Sequence, residues 1–229
     1  MSTSLFDSGA VDAGQFGFAF PEPLSEKYKP KRVADFMVDK PKRVMLSLLA
    51  KPHSSAWFLL GASGMGKTEL VLAFANELPG QLHHIASKDC DLEAVRNIRL
   101  ACSYVPHDIF EPSRVCKMHV VVVDEIDQAS YPAQLAFLSL LDATAFPPRT
   151  IFVLTGNSTV GLEDRFLSRV RILEFSTYGM SEKITELLAS IWRQEAGNAP
   201  PPNFARITKD SKGNIRDAIN SVEVELMAI

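Results

Sequence analysis

The chain has 229 residues, room for one large or two small domains, and its 46% hydrophobic and 22% charged content is that of a soluble globular protein. A formal net charge of −3 excludes a globally basic nucleic-acid binder, so any such contact falls to a local patch. Cys90, Cys102 and Cys116 form no CxxC pair, which excludes a disulfide framework or a zinc motif and reads as reduced, cytoplasmic cysteines. The N-terminus has no basic region followed by a long apolar core, and no apolar run approaches the roughly 18 residues of a membrane span.

Residues 1–25 are small, polar and Gly/Ala-rich and end near Pro21-Glu22-Pro23, the pattern of a flexible arm. From Glu26 to Arg43 the chain turns basic. Within it, Tyr28, Pro30 and Val33 offer apolar cover for one face of an adenine, ahead of a helix over Lys42–Leu49. A strand at Trp57–Leu60 then runs into Gly61-Ala62-Ser63-Gly64-Met65-Gly66-Lys67-Thr68-Glu69, which fits the P-loop template of strand, glycine-rich loop and helix. Glycines let the backbone turn its N–H groups inward as an anion nest, and the helix N-terminus adds positive potential. Lys67 can reach β- and γ-phosphates, and the Thr68 hydroxyl can bind Mg²⁺. The helix continues to about Glu77, where Leu78-Pro79-Gly80 stops it.

A second strand over Leu82–Ala86 contains His83-His84, read as strand residues because no ligand partners lie nearby in sequence. Asp89 or Asp91 caps a helix from Leu92 to about Tyr104. His119 and four consecutive valines to Val123 read as a strand buried on both faces. It ends in Asp124-Glu125, paired carboxylates where open α/β sheets bind their ligands. Asp124 would hold Mg²⁺, and Glu125 would polarise an attacking water. Ser130 caps a helix running to about Leu141, with Pro132 in its first turn. A strand at Thr150–Leu154 leads to Asn157, placed to orient the water or γ-phosphate, then Arg165 and Arg169 precede a last strand, Val170–Phe175. Helices over Ser181–Gln194, Asn203–Lys209 and Ile215–Met227 complete the chain. The fold expected is α/β: a parallel-sheet P-loop domain over 26–177 with helices on both faces, then a small three-helix lid over 178–229.

The order of these motifs resembles an AAA+ ATPase, and within that class the clamp-loader family of replication factor C small subunits and their bacterial relatives. Glu26-Lys27-Tyr28-Lys29-Pro30-Lys31 is similar to the family's segment before the P-loop, and Ala86-Ser87-Lys88-Asp89 resembles its Ala-Ser-Asp turn. Asn157 falls on the sensor 1 position, Ser168-Arg169 matches the Ser-Arg-Cys motif, and Gly213-Asn214-Ile215-Arg216 looks like the start of the sensor 2 helix. The resemblance implies that Arg169 acts in trans on ATP held by a neighbouring subunit, with Arg165 as fallback, and that Arg216 contacts the same phosphates in cis. It also implies a homo- or hetero-oligomer of AAA+ subunits, with DNA and a sliding clamp or another replication protein as partners. Ser4-Leu5-Phe6 loosely resembles the end of a clamp-binding peptide, without its Gln.

The sequence departs from that pattern in three places. Val170 stands where the motif has Cys, the helix Gln134–Leu141 lacks the basic residues the family often carries there, and no collar domain follows the sensor 2 helix. The expected function is an ATP-binding and ATP-hydrolysing oligomeric switch in DNA replication or repair, Mg²⁺-dependent. The alternative is a nucleotide-dependent adaptor for DNA transactions, resembling helicase loaders or transposition regulators, with slow turnover.

Overall fold

The structure, a computed structural model, describes residues 22–106 and 117–229. The clamp-peptide-like Ser4-Leu5-Phe6, the arm before residue 22, and Cys116 lie outside them.

Five strands build the sheet: β1 (Ser55–Leu60), β2 (Gly80–Ile85), β3 (Met118–Val123), β4 (Thr150–Gly156) and β5 (Arg171–Glu174). All pair in parallel, in the order β2-β3-β4-β1-β5. Because β1 sits between β4 and β5 while the chain leaves it for the far edge, connections diverge beside its C-terminal end. Open α/β sheets bind ligands at such a switch point.

The valine run shows why the sheet is central. Val120 and Val122 pack on one face with Leu59, Ile151 and Val153. Val121 and Val123 pack on the other with Phe58, Phe152 and Leu154. Side chains alternate across a strand, so an unbroken apolar run requires cover on both sides. Each fully buried valine of this kind contributes roughly 1.5–3 kcal/mol.

The first face is covered by α2 (Asp39–Ala50) and α3 (Lys67–Glu77), with Met45, Leu48, Leu70 and Phe74 buried. The second is covered by α4 (Leu92–Ala101), α5 (Tyr131–Leu140) and the short α6 (Asp164–Leu167), through Val95, Ile98, Phe137 and Phe166. A four-residue helix α1 (Leu24–Lys27) leads in, and α7 (Met180–Glu195), α8 (Phe204–Asp210) and α9 (Ile215–Met227) end the chain. Ile184, Leu188, Ile191, Ala218 and Val222 of α7 and α9 belong to the same apolar cluster as α2 and α3.

Local chemistry moves several boundaries. Helix α2 starts at Asp39, three residues before the expected Lys42, and carries Pro41 in its first turn, where a missing N–H costs nothing. Helix α4 stops at Ala101 instead of Tyr104, and the Ser103 hydroxyl donates to the freed Arg99 carbonyl at 2.8 Å. Of the two candidate caps, Asp91 accepts the Ala94 N–H at 2.8 Å. Ser130 stands at the N-cap of α5, but its side chain makes no capping bond.

Candidate active site

The loop between β1 and α3 is shaped by two left-handed glycines, Gly64 at φ 73° and Gly66 at φ 82°. A β-carbon at Gly64 would lie 1.8 Å from the Asn214 side-chain oxygen, so only glycine fits. Asn214 is the N-cap of α9, and the N–H groups of Ile215 and Arg216 donate to the Gly64 carbonyl at 3.1 and 3.3 Å. The last helical element therefore begins on the phosphate-loop backbone itself.

Lys67 is 8% exposed. Its ammonium donates to the carbonyls of Gly61 and Ala62 at 2.7 and 2.9 Å and to Asn157 Oδ1 at 2.9 Å. Burial pushes the Lys67 pKa below the usual lysine value, opposed by the charges of Asp127, Glu125 and Asp124. A buried cation held by neutral carbonyls is poised to exchange them for an anionic ligand.

Beside it, Thr68 Oγ1 donates to Asp124 Oδ1 at 2.8 Å, and the Thr155 hydroxyl donates to the same oxygen at 3.1 Å. The other Asp124 oxygen lies 2.6 Å from His84 Nε2. Thr68 and Asp124 thus offer adjacent hard oxygen ligands of the kind Mg²⁺ takes. Glu125 is held at φ 47°, ψ 52°, a left-handed conformation sparsely used by residues with a side chain, and its N–H donates to Thr155 Oγ1 at 3.1 Å. Thr155, unsingled in the sequence, ties the two carboxylate residues together; its only sequence signal was its place at the end of a buried strand. Asp127 Oδ1 is buried with no hydrogen-bond partner among the described residues.

Two connected cavities surround the loop. The smaller, about 80 Å³, is lined by Ser63, Lys67, Thr68, Glu125, Asn157 and Arg216. The larger, about 230 Å³, is walled by Tyr28, Pro30, Phe36, Met65 and Ile219, with Glu69 and Arg216 at the junction of the two. Val33, expected on this wall, is fully buried elsewhere: its side chain is 0% exposed and its N–H donates to Glu77 Oε1 at 2.5 Å. Phe36, Met37 and Val38 line the cavity in its stead, because the chain folds into a 3-10 turn over Val33–Asp35 that swings Val33 inward. Lys29 secures the wall through an ion pair with Glu69 at 2.8 Å.

Arg169 lies apart from this constellation. Its guanidinium pairs with Asp142 at 3.1 Å and donates to the Arg165 carbonyl at 2.8 Å. Hydrogen bonds from Thr144, then that from Arg169, hold the Asp142 carboxyl below the usual range. Arg165 pairs with Glu163 at 3.4 Å. The structure therefore brings Lys67, Thr68, Asp124, Glu125, Asn157 and Arg216 together and leaves Arg169 facing outward beside α5.

The sequence model of the ATPase family associated with various cellular activities (AAA) matches residues 57–178. Replication factor C subunit 2 of Arabidopsis thaliana is 26% identical over 214 residues, covering 90% of this chain and 62% of that protein. Replication factor C subunit 4 of Oryza sativa subsp. japonica is 26% identical over 224 residues, covering 95% of this chain and 65% of that protein. The chain thus spans less than two thirds of the length of these relatives. The RuvB Holliday junction branch migration motor of Thermotoga maritima superposes with a TM-score of 0.66 at 19% identity, over 85% of this chain and 64% of its own, a likeness of fold. With its phosphate loop, parallel sheet and more than half of its residues matched by the family model, the chain belongs to the AAA family of P-loop ATPases.

Proposed function

We propose that this chain is a Mg²⁺-dependent ATPase that works as one subunit of an oligomer in DNA replication or repair, in the manner of a clamp-loader subunit. The observation that carries the reading is the convergence of Lys67, Asn157, Thr68 and Asp124 through bonds of 2.8–2.9 Å, with Glu125 beside them. The donor set fits the ligand. The buried Lys67 ammonium and the two left-handed glycines suit an anion, and the Thr68 and Asp124 oxygens suit a hard cation. Mg²⁺ at these oxygens would supply charge neutralisation for the transferring phosphoryl group.

The chain's own residues have distinct tasks. Lys67 gives up its loop carbonyls to pair with phosphate oxygens. Glu125 takes the proton of the attacking water, and Asn157, anchored by Lys67, orients that water. Tyr28, Pro30 and Phe36 wall the cavity for the base. Arg216 reaches the phosphates in cis, and Arg169 serves the site of a neighbouring subunit. Support for an oligomer in replication comes from the relatives named as subunits of replication factor C. The adaptor reading has its own support: α5 carries no Lys or Arg over Tyr131–Leu140 to follow a phosphate backbone.

Steady-state turnover and nucleotide binding test the assignment. Lys67→Ala should lose ATP binding, and normal affinity in that variant would sink the phosphate-loop role. Glu125→Gln should bind ATP and hydrolyse it roughly 10²–10⁴-fold more slowly, the usual value of a general base. Stimulation by primer-template DNA together with a clamp favours the clamp-loader reading, whereas equal stimulation by any DNA favours the adaptor.

A further inference from the structure

A second cluster of metal-type ligands lies toward the end of the sheet opposite the phosphate loop, and the ATPase chemistry leaves it unused. His83 comes from β2, His119 from β3, and Cys102 is the residue that ends α4. One ligand atom from each lies within 4.8 Å of the others. His119 and Cys102 are each 1% exposed, and His83 is half-buried.

The protonation pattern is legible from the contacts. His119 Nε2 lies 3.0 Å from the Tyr104 backbone carbonyl, an acceptor only, so Nε2 carries the proton and donates. Nδ1 is then left with its lone pair, and it faces His83 Nε2 at 3.0 Å. A ring N–H donated to a backbone carbonyl is the arrangement that orients metal-bound histidines and raises their basicity. Sequence gave no hint of it: 36 residues separate His83 from His119, and the parallel pairing of β2 with β3, His83 opposite Val121 and Gln81 opposite His119, makes them diagonal neighbours on one face.

From this geometry we infer that His83 Nε2, His119 Nδ1 and Cys102 Sγ bind a borderline-soft divalent ion, Zn²⁺ by donor chemistry, with water in a fourth position. Two imidazoles and one thiolate are a zinc donor set, distinct from the all-oxygen pair Thr68 and Asp124. A tetrahedral ion with bonds of about 2.0–2.1 Å to nitrogen and 2.3 Å to sulfur holds its ligand atoms about 3.3–3.6 Å apart. The cluster reaches that geometry with shifts of about an ångström. On binding, His83 moves its proton from Nε2 to Nδ1, and the Cys102 thiol releases one proton to solvent as the sulfur–metal bond forms. Without metal, burial pushes that thiol up to about 11, against a smaller lowering by its hydrogen bond with Thr150. Coordination overrides this, because a ligating thiol is deprotonated outright. The ion would tie the end of α4 to the edge pair β2–β3.

The test is Co²⁺ titration of the chelator-treated chain, with Mg²⁺ in excess to occupy oxygen sites. The expected result is one equivalent of Co²⁺ with a near-ultraviolet thiolate charge-transfer band that Zn²⁺ bleaches. Cys102→Ser should abolish the band, Cys90→Ser should keep it, and Asp124→Asn should leave it unchanged. His83→Gln, at a half-buried position, should weaken Co²⁺ binding beyond the roughly 10–100-fold that loss of an orienting partner costs. ATP binding in His83→Gln should match the wild type. Absence of the band in the wild type, its survival in Cys102→Ser, or its loss in Asp124→Asn would each overturn the site. In the first case the cluster is only a histidine–histidine hydrogen bond.

Discussion

Asp124 shows how much one carboxylate can be asked to do. One oxygen accepts from Thr68 and Thr155, and the other meets His84 at 2.6 Å. The hydrogen bond of His84 is to Asp124, so its effect runs through the orientation of that carboxylate. Outer partners of this type are worth roughly 10–100-fold in metal affinity. His84→Ala should therefore raise the Mg²⁺ concentration needed for half-maximal turnover by about that factor while ATP binding without Mg²⁺ is unchanged. An unaltered Mg²⁺ requirement would make the contact incidental. His84 was visible in the sequence only as a strand residue, since nothing local marks which strand face meets Asp124, 40 residues away. Lys67, Thr68, Asp124 and Glu125 were legible because glycine spacing and a strand-end acidic pair encode their surroundings locally.

At the scale of elements, the lead-in segment is clasped to α7. Lys27 pairs with Glu195 at 2.7 Å, and the Tyr28 hydroxyl donates to the same carboxylate. Hydrogen bonds from Lys27 and then Tyr28 hold Glu195 below its ordinary 4.5, while burial and then Glu195 push Tyr28 up to about 12. The signs differ at the two ends of the pH scale. The Glu195 contribution is present above pH 4.5 and is lost as pH falls through its lowered folded value. The Tyr28 contribution is present below pH 10.0 and is lost as pH climbs to about 12. Glu195→Gln should cost about 0.2–1 kcal/mol near neutrality, the range of exposed pairs, and flatten the acid limb of a thermal-melt profile. A parallel acid limb in that variant would remove the clasp from the account. Long, strongly patterned elements such as the valine strand and α7 are legible in the sequence itself. The four-residue helices α1 and α6 were not, because so short a run holds barely one helical period. Val33 failed for a related reason: the 3-10 turn that buries it has no periodic signature.

At the scale of the whole molecule, the proposed trans role of Arg169 leaves each site to be finished by a neighbouring subunit. Arg169 is held outward by Asp142, in a shallow recess of about 350 Å³ that also includes Leu135, Leu138 and Arg165. An arginine completing a neighbour's site is worth about 10³–10⁵ in rate where it has been examined. Arg169→Ala should thus bind ATP normally and lose at least about 10³-fold in turnover. Mixing it with Glu125→Gln chains, which keep Arg169 but hydrolyse ATP only slowly, should raise the activity of the mixture above that of either variant alone. No recovery on mixing, with assembly verified by sedimentation in a nonhydrolysable ATP analogue, would rule out action in trans. Composition forecast none of this, and only the order of motifs along the chain suggested it.

The contact between Gly64 and α9 has one more implication. The carbonyl that takes the Ile215 and Arg216 N–H groups shares its peptide unit with the N–H of Met65. That unit is planar and trans, so its two polar edges face opposite ways and cannot rotate independently. A phosphate taking hold of the Met65 edge would tilt the plate on which α9 begins. Occupancy would then be transmitted to α9 across a single amide, as a lever turns about its pin, with no side chain needed in between.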